Sequence, residues 1–362
     1  MNKRTVCFLL PGENISPVGG YKITYEYANA LVRAGYDVSI IHSVYPSKGF
    51  PYQPKFPLNF GLGFVDLVQR KTQLLHQRWY ELDSRVKCYN IPYITKENLL
   101  KADIYVATAV CTAHAVMQCA PKDSVWYYLI QDLEAWDVSK EYVLSSFHWP
   151  FRKIVIAPWL QDIVSKEGES SVLIPNGFNS SIFKLNKPIE ERDNNSILFM
   201  SSAYERKGTV DILEALNIVS KTHDIKVSSF GSCSKRKGSF TAYDYYRSPS
   251  KSLLVDLYNS AAIFIGGSRE EGYGLPVGEA MCCGAAIVCT INGGYQAMVD
   301  DNTALQSEIK NPKALADNIK LLLDNREYRI KLAQNGYKKI AAYTCLQAEN
   351  KFVELINSAF QL

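Results

Sequence analysis

The stretch Ser268–Gly294, SREEGYGLPVGEAMCCGAAIVCTINGG, carries the pattern from which the fold is inferred. The apolar run at 262–266, AIFIG, directly precedes it and predicts a buried strand. After an acidic, glycine-rich turn, a short helix is predicted to open near Val277, to carry Glu279 in its first turn and to end at a glycine that takes the left-handed cap conformation. Small and β-branched residues then predict a second buried strand. Strand, loop, helix and strand in this order form a βαβ unit, which indicates an α/β fold with parallel sheets.

The acidic glycine loop predicts a ligand site, because ligands of such sheets bind at the carboxyl ends of the strands. Gly272 and Gly274 let the backbone approach a ligand closely, and the amides that open the helix at Val277 suit a phosphate. Glu271 and Glu279 add carboxylates, which only accept hydrogen bonds and therefore suit hydroxyl donors. Two carboxylates beside a phosphate site indicate a ligand that carries sugars as well as phosphate. The alternative is an ordinary helix start with two solvent-facing acids.

The same residues resemble the signature of the family-4 glycosyltransferases, in which two glutamates separated by seven residues lie in an EGFGLP-like context. The matching residues are Glu271, Gly272, Gly274, Leu275, Pro276, Glu279, Ala280, Met281 and Gly284. The resemblance implies the GT-B architecture, an α/β fold of two Rossmann-like domains that face each other across a cleft. We expect an acceptor-side domain at residues 1–178, a nucleotide-sugar-binding domain at 179–345, and a helix at 346–362 that crosses back to the first domain.

The resemblance extends to the residues that would bind the donor diphosphate. In the family a lysine just before a glycine binds the diphosphate, and Lys207 before Gly208 matches it. The family also has an arginine five residues earlier, where this chain has Ser202, so Arg206 is the candidate for the second positive charge. The alternative for both basic residues is a solvated turn. A third family acid, after the second glycine turn, is replaced here by Ala297.

Roles for the site residues follow from these positions. Glu279 lies in the helix and is expected to hold the ribose, whereas Glu271 lies in the loop and is expected to face the transferred sugar. Glu271, Lys207 and Asp132 are the predicted catalytic residues, and neither a cofactor nor a metal is expected. The predicted donor site comprises Arg206, Lys207, Gly274, Leu275, Val277 and Glu279, with Gly19 and Gly20 from the loop after the first strand. That loop is alternatively a tight βα turn.

Two tracts of the first half, VATAVCTA at 106–113 and YLIQDLE at 128–134, resemble the rhamnosyltransferase branch of the family. These bacterial enzymes use dTDP-L-rhamnose to build surface glycans such as O-antigen. Asp132, Glu134 and Asp137 are predicted to bind acceptor hydroxyls or to assist proton transfer, the alternative being a capping cluster for the next helix. His114 is a candidate general base of the acceptor site, although a half-buried helix histidine is the favoured interpretation.

The composition argues against several classes of protein. Of the 362 residues, 47% are hydrophobic and 21% charged, which is typical of a globular protein, and the net charge of +4 is too small to indicate nucleic-acid binding. No window reaches the ~20 apolar residues of a membrane span. Nine cysteines without a CxxC pair indicate free thiols in a reducing compartment. We therefore expect a cytoplasmic protein that acts on a lipid-linked glycan and makes peripheral contact with the inner face of the membrane. The alternatives are a nucleotide-sugar epimerase, a glycan phosphorylase or a non-catalytic sugar-binding subunit.

Overall fold

The computed structural model describes residues 3–14, 16–43, 45, 47–51, 79–136 and 138–359. Asp137, one of the predicted acceptor residues, lies outside these ranges. The chain divides into two compact units, one of Met1–Pro175 with Leu346–Leu362 and one of Asn176–Cys345. Each unit is built on a parallel sheet whose central strands are apolar and buried.

The first unit contains a seven-stranded sheet in the order β3-β2-β1-β4-β5-β6-β7, with all neighbouring strands parallel. The strands are Thr5–Pro11 (β1), Asp37–Ser43 (β2), Lys87–Ile91 (β3), Ile104–Ala107 (β4), Val125–Ile130 (β5), Arg152–Val155 (β6) and Ser171–Leu173 (β7). The helices are Gly19–Arg33 (α1), Val110–Cys119 (α2), Lys140–Ser146 (α3) and Pro158–Lys166 (α4). The strand order starts at the centre and runs outward in both directions, as in Rossmann-like sheets.

The second unit repeats this plan with six parallel strands in the order β10-β9-β8-β11-β12-β13. The strands are Ser196–Met200 (β8), Lys226–Gly231 (β9), Tyr243–Arg247 (β10), Ile263–Gly266 (β11), Ala286–Thr290 (β12) and Ala304–Ser307 (β13). The helices are Thr209–Val219 (α5), Lys251–Ser260 (α6), Leu275–Cys282 (α7), Gly293–Gln296 (α8), Pro312–Asp324 (α9) and Arg326–Ile340 (α10). The predicted fold class, α/β with two Rossmann-like sheets, is confirmed.

The last helix, Cys345–Ser358 (α11), packs on the first unit although the second unit precedes it in the chain. The Phe352 ring stacks on Tyr27 at a centroid distance of 4.1 Å and on Phe8 at 6.1 Å. All three side chains are buried. The core of the first unit therefore includes residues from both ends of the described chain.

Helix α7 begins at Leu275, two residues earlier than predicted. Gly274 precedes it at φ 90°, a left-handed conformation that side chains strain to adopt, and Pro276 in the first turn has a preset φ. Gly284 at φ 80° follows the helix, as predicted. Because the helix starts early, the prediction that Glu279 lies in the first turn is wrong, and Glu279 belongs to the second turn.

Candidate functional site

The candidate site lies where the strand order of the second unit reverses direction. Strands β8 and β11 are neighbours, while β9 and β10 continue to one side and β12 and β13 to the other. The loops that follow β8 and β11 therefore meet at the carboxyl edge of the sheet, the usual ligand position in such folds. Their backbones are joined by a hydrogen bond of 2.7 Å from the Arg269 amide to the Arg206 carbonyl. The two loops that carry the predicted donor residues thus form one surface.

An ion pair between the two loops is at the centre of this surface. Lys207, at the end of a single 3-10 turn after β8, donates from Nζ to Oε1 of Glu271 at 2.7 Å. The Ser268 hydroxyl donates to the same carboxylate oxygen at 2.9 Å. The side chains of Lys207 and Glu271 are 17% and 8% exposed, so the pair is largely shielded from water. Glu271, which the sequence predicts to face the transferred sugar, therefore neutralises the charge of Lys207.

Two glycines allow the chain to pack tightly enough for this contact. A Cβ on Gly208, which has φ 62°, would lie 1.8 Å from the Gly267 carbonyl oxygen, so only glycine lets the two loops approach. A Cβ on Gly294 would lie 2.6 Å from the carbonyl oxygen of Glu271. Side chains at either position would push apart the segments that bring Lys207 and Glu271 together.

Two arginines close to this ion pair make structural contacts. Arg206 does so through its main-chain carbonyl, and Arg269 through hydrogen bonds from its side chain to two acids. Arg269 binds Asp211 through two hydrogen bonds of 2.8 and 2.9 Å and Glu205 through a third of 2.5 Å. These acids raise the pKa of Arg269 above its usual value, with Asp211 contributing most. Arg269 thus ties the 3-10 turn to helix α5. The main-chain carbonyl of Arg206 is fixed in the loop contact described above, and its predicted role as second diphosphate cation stays a prediction.

The start of helix α7 offers fewer amides to a phosphate than the sequence indicates. Pro276 has no N–H, and the Val277 amide donates to the Gly274 carbonyl at 3.0 Å. We therefore expect a phosphate to meet the Leu275 amide rather than that of Val277. A small pocket opens beside this turn and is lined by Met200, Lys207, Phe264, Ile265, Gly266, Gly267, Ser268, Glu271, Pro276 and Tyr295.

The second glutamate has a partner of its own. The hydroxyl of Tyr258, on helix α6, donates to Oε2 of Glu279 at 3.1 Å. Both side chains are buried, and burial raises the pKa of Tyr258 well above its usual value. Three residues around the site were not predicted from the sequence: Tyr258, Ser268 and Tyr295. Ser268 lies two residues after strand β11 and Tyr295 follows a glycine turn, and these positions could have indicated both residues. Tyr258 lies on the apolar face of a helix, where the sequence gives no such signal.

In the first unit, Gly19 opens helix α1 and Gly20 lies against the end of β5. The side chain of Gln131 donates to the Gly20 carbonyl at 3.2 Å, and a Cβ on Gly20 would lie 3.1 Å from the same amide nitrogen. Gly20 thus allows the loop after β1 to pack on residues of the YLIQDLE tract. Donor binding by Gly19 and Gly20 stays a prediction.

The predicted acceptor acids have distinct environments. Oε2 of Glu134 accepts a hydrogen bond of 2.7 Å from the Val110 amide, the first amide of helix α2. A carboxylate at this position caps the helix and favours its dipole. Oδ1 of Asp132 accepts from the Leu133 amide at 2.9 Å, which shapes the turn after β5. The capping alternative therefore applies to Glu134, but the capped helix precedes it in the chain instead of following it.

His114 lies on helix α2 and packs among aromatic rings from other segments. Its Nδ1 is 2.6 Å from the Tyr142 hydroxyl, and its ring contacts those of Phe50 and Trp149. The side chain is buried, and burial lowers the pKa of His114 below its usual value. The geometry is that of a packed helix histidine, the interpretation favoured from the sequence.

Two features are absent from the described residues. Within these ranges no three His, Cys, Asp or Glu side chains come together as metal ligands would. None of the helices in the described part of the chain is sufficiently long and apolar to cross a membrane.

The two parallel sheets define the GT-B class of folds, and a solved member superposes on nearly the whole chain. Sucrose-phosphate synthase from Thermosynechococcus elongatus matches 99% of this chain and 100% of its own with a TM-score of 0.75, at 14% sequence identity. Residues 181–339 match the family described as "Glycosyl transferases group 1". The matched part of the chain, which contains Lys207, Glu271 and Glu279, is thus similar to group 1 glycosyltransferases.

Curated relatives match at modest identity. An uncharacterized glycosyltransferase of Methanocaldococcus jannaschii is 25% identical over 194 residues, which are 51% of this chain and 53% of that protein. The capsular polysaccharide biosynthesis glycosyltransferase CapM of Staphylococcus aureus is 26% identical over 210 residues, which are 52% of this chain and 53% of that protein. The chain thus matches about half the length of each of these relatives.

Proposed function

We propose that this protein transfers a sugar from a nucleotide-sugar donor to a glycan acceptor without a metal ion. The observation that carries the proposal is the shielded Lys207–Glu271 pair of 2.7 Å at the strand-order reversal of the part of the chain that is similar to group 1 glycosyltransferases. A cation for a diphosphate and a carboxylate for sugar hydroxyls are thus brought together on adjacent loops, which an ordinary solvated turn would not require.

The donor would replace the ion pair between Lys207 and Glu271 with contacts of its own. Its diphosphate takes Lys207 from Glu271, and the Leu275 amide supplies a second donor at the start of α7. Glu271 keeps its hydrogen bond from Ser268 and faces the sugar, while Glu279 accepts from the hydroxyls of the nucleotide pentose. The diphosphate, the sugar and the pentose of the proposed donor thereby each have a partner of complementary chemistry.

In the transfer step, the bond between the sugar carbon C1 and the diphosphate oxygen breaks, and its electron pair stays with the diphosphate. The acceptor hydroxyl forms the new bond to C1 and loses its proton, which the resemblance to the family assigns to the leaving diphosphate. Lys207 stabilises the charge that develops on the leaving group, and Glu271 stabilises the positive charge that develops on the sugar. No enzyme nucleophile is needed in this scheme, so catalysis depends on positioning and electrostatics.

We propose dTDP-L-rhamnose as the donor and a growing lipid-linked surface polysaccharide, such as O-antigen, as the acceptor. The tracts 106–113 and 128–134 support the donor through their resemblance to rhamnosyltransferases. The relative from Staphylococcus aureus, named for capsular polysaccharide biosynthesis, supports the acceptor class. An acceptor of this kind places the enzyme in the cytoplasm, at the inner face of the membrane.

Asp132 is the better candidate for acceptor binding in the first unit. Glu134 is engaged in capping helix α2, and His114 is packed among aromatic rings. The Asp132 carboxylate lies in the turn after β5, at the carboxyl edge of the sheet, where acceptor hydroxyls would donate to it.

A thermal-shift screen of dTDP-, UDP- and GDP-sugars tests the donor, followed by a transfer assay with the best binder. We expect dTDP-L-rhamnose to raise the unfolding temperature most and Lys207→Met to abolish that rise. Lys339→Met is the matched control, because Lys339 forms an equally short pair of 2.6 Å with Asp300. Conversion of the donor to an epimer without an acceptor would indicate an epimerase instead. Binding without transfer to any glycan would favour a sugar-binding subunit.

A further inference from the structure

We infer that Tyr258 is a positioning residue of the donor site, whose hydroxyl holds the Glu279 carboxylate in the orientation that meets the pentose of the nucleotide. The inference rests on the proposed function, since it assigns a partner to a residue of that donor site. It concerns a residue of helix α6 that no signature motif of the chain includes.

The contact itself defines which group donates. A carboxylate accepts hydrogen bonds only, so the Tyr258 hydroxyl donates its proton to Oε2 of Glu279 across 3.1 Å. Tyr258 is completely buried, and Glu279 is 9% exposed. Burial, followed by the nearby charge of Glu279, raises the pKa of Tyr258, so the hydroxyl keeps its proton throughout the neutral range.

The Tyr258 ring is held by aromatic neighbours from three other segments. Its centroid lies 5.5 Å from that of Phe230, 5.7 Å from Phe264 and 6.0 Å from Phe183. These contacts leave the ring little freedom, so the hydroxyl is a fixed point against which the carboxylate is oriented. Glu279 alone has three rotatable side-chain bonds, and fixing them before the ligand arrives removes part of the entropy cost of binding.

If Tyr258 acts in this way, the effect of removing its hydroxyl on ligand affinity should depend on whether the ligand has a pentose hydroxyl. A general destabilisation of the domain would not produce such a dependence. In dTDP only the 3′-hydroxyl can donate to Glu279, and 2′,3′-dideoxythymidine diphosphate lacks it. If Tyr258 orients the carboxylate, removing the tyrosine hydroxyl weakens binding of dTDP and leaves binding of the dideoxy analogue nearly unchanged. A general loosening of the domain would weaken both ligands by the same factor.

The test is to measure the Kd of dTDP and of its dideoxy analogue by calorimetry for the wild type and three variants. In the wild type we expect dTDP to bind about tenfold more tightly than the analogue, as for one hydrogen bond to a charged group. In Tyr258→Phe this ratio is expected to fall to about threefold or less, and in Glu279→Gln to near one. In the double variant the ratio is expected to equal that of Glu279→Gln, because Tyr258 acts only through Glu279.

Tyr243→Phe is the matched control, since the hydroxyl of this buried tyrosine of the same unit donates to the Arg236 carbonyl. Its loss is expected to lower the unfolding temperature and to leave the ratio at its wild-type value. An unchanged ratio in Tyr258→Phe, with a reduced one in Glu279→Gln, would overturn the role of Tyr258 and leave the proposed function standing. A wild type that binds neither dTDP nor UDP would overturn both.

Discussion

Replacing Glu271 by glutamine should make the protein bind a free nucleoside diphosphate more tightly. Lys207 is paired with Glu271 at 2.7 Å, so a diphosphate that binds Lys207 competes with this carboxylate. The Glu271→Gln variant keeps an oxygen that accepts from Lys207 and Ser268, but it removes the negative charge that competes with the phosphate. The perturbation therefore changes the electrostatics of the site without opening a cavity.

The expected size of the effect follows from the burial of the pair. A hydrogen bond to a charged group contributes ~1.5–3 kcal/mol when it is well shielded. Lys207 is 17% exposed, and the glutamine still accepts a weaker bond, so we take ~1 kcal/mol as the gain on removing the competing charge. This corresponds to about fivefold tighter binding of dTDP. The difference in dTDP affinity between the variant and the wild type should decrease with added salt. Salt partly screens the repulsion between the Glu271 carboxylate of the wild type and the phosphate.

Isothermal titration calorimetry with dTDP, at low and at high sodium chloride concentration, measures this directly. Asp300→Asn is the matched control, since it removes the acid of another lysine pair, with Lys339, and should leave dTDP affinity unchanged. Equal or weaker dTDP binding by Glu271→Gln would refute the reasoning, because it would mean that Lys207 never has to leave Glu271.

Other variants test the remaining assignments. Lys207→Ala should weaken dTDP binding roughly ten- to a hundredfold and thymidine binding little, as titration of both ligands would show. With the complete donor, the lost contact of Glu271 to the sugar should offset the gain at the diphosphate, so Glu271→Gln should keep its Kd and lose kcat, whereas Glu279→Gln should raise Kd; reversed phenotypes would contradict the roles given to the two glutamates. Asp132→Ala should reduce transfer at unchanged donor affinity, while Glu134→Ala should cost about 1 kcal/mol of stability through the lost cap, measured by thermal unfolding. Transfer should survive EDTA, and its loss would refute the metal-independent scheme.

The fold class, and the loops that form the candidate site, could be predicted because both depend on local pattern. Buried strands, glycine turns and helix periodicity are local features, and the strand before Ser268 was predicted to within one residue of its observed start at Ile263. The early start of helix α7 was missed, since it depends on the φ of 90° at Gly274, which glycine permits but does not require.

The contacts within the site could not be predicted, because they join residues far apart in the chain. Lys207 and Glu271 are 64 residues apart and meet only because β8 and β11 are neighbours in the sheet. The same is true of Tyr258 and Glu279, which lie on different helices. Likewise, a carboxylate such as Glu134 has the same appearance in the sequence whether it caps a helix or binds a sugar, and only the 2.7 Å bond to Val110 separates the two.

The packing of helix α11 affects the order in which the two units can fold during synthesis. A ribosome releases the chain from its N-terminal end, so Phe8 and Tyr27 are synthesised long before Phe352, the ring that covers them. Until α11 emerges, the nascent first unit exposes an aromatic surface, while the second unit, Asn176–Cys345, already has all its residues. Although it is the later half of the sequence, the second unit can therefore complete its folding first. The core of the first unit is completed last, when Phe352 covers Phe8 and Tyr27.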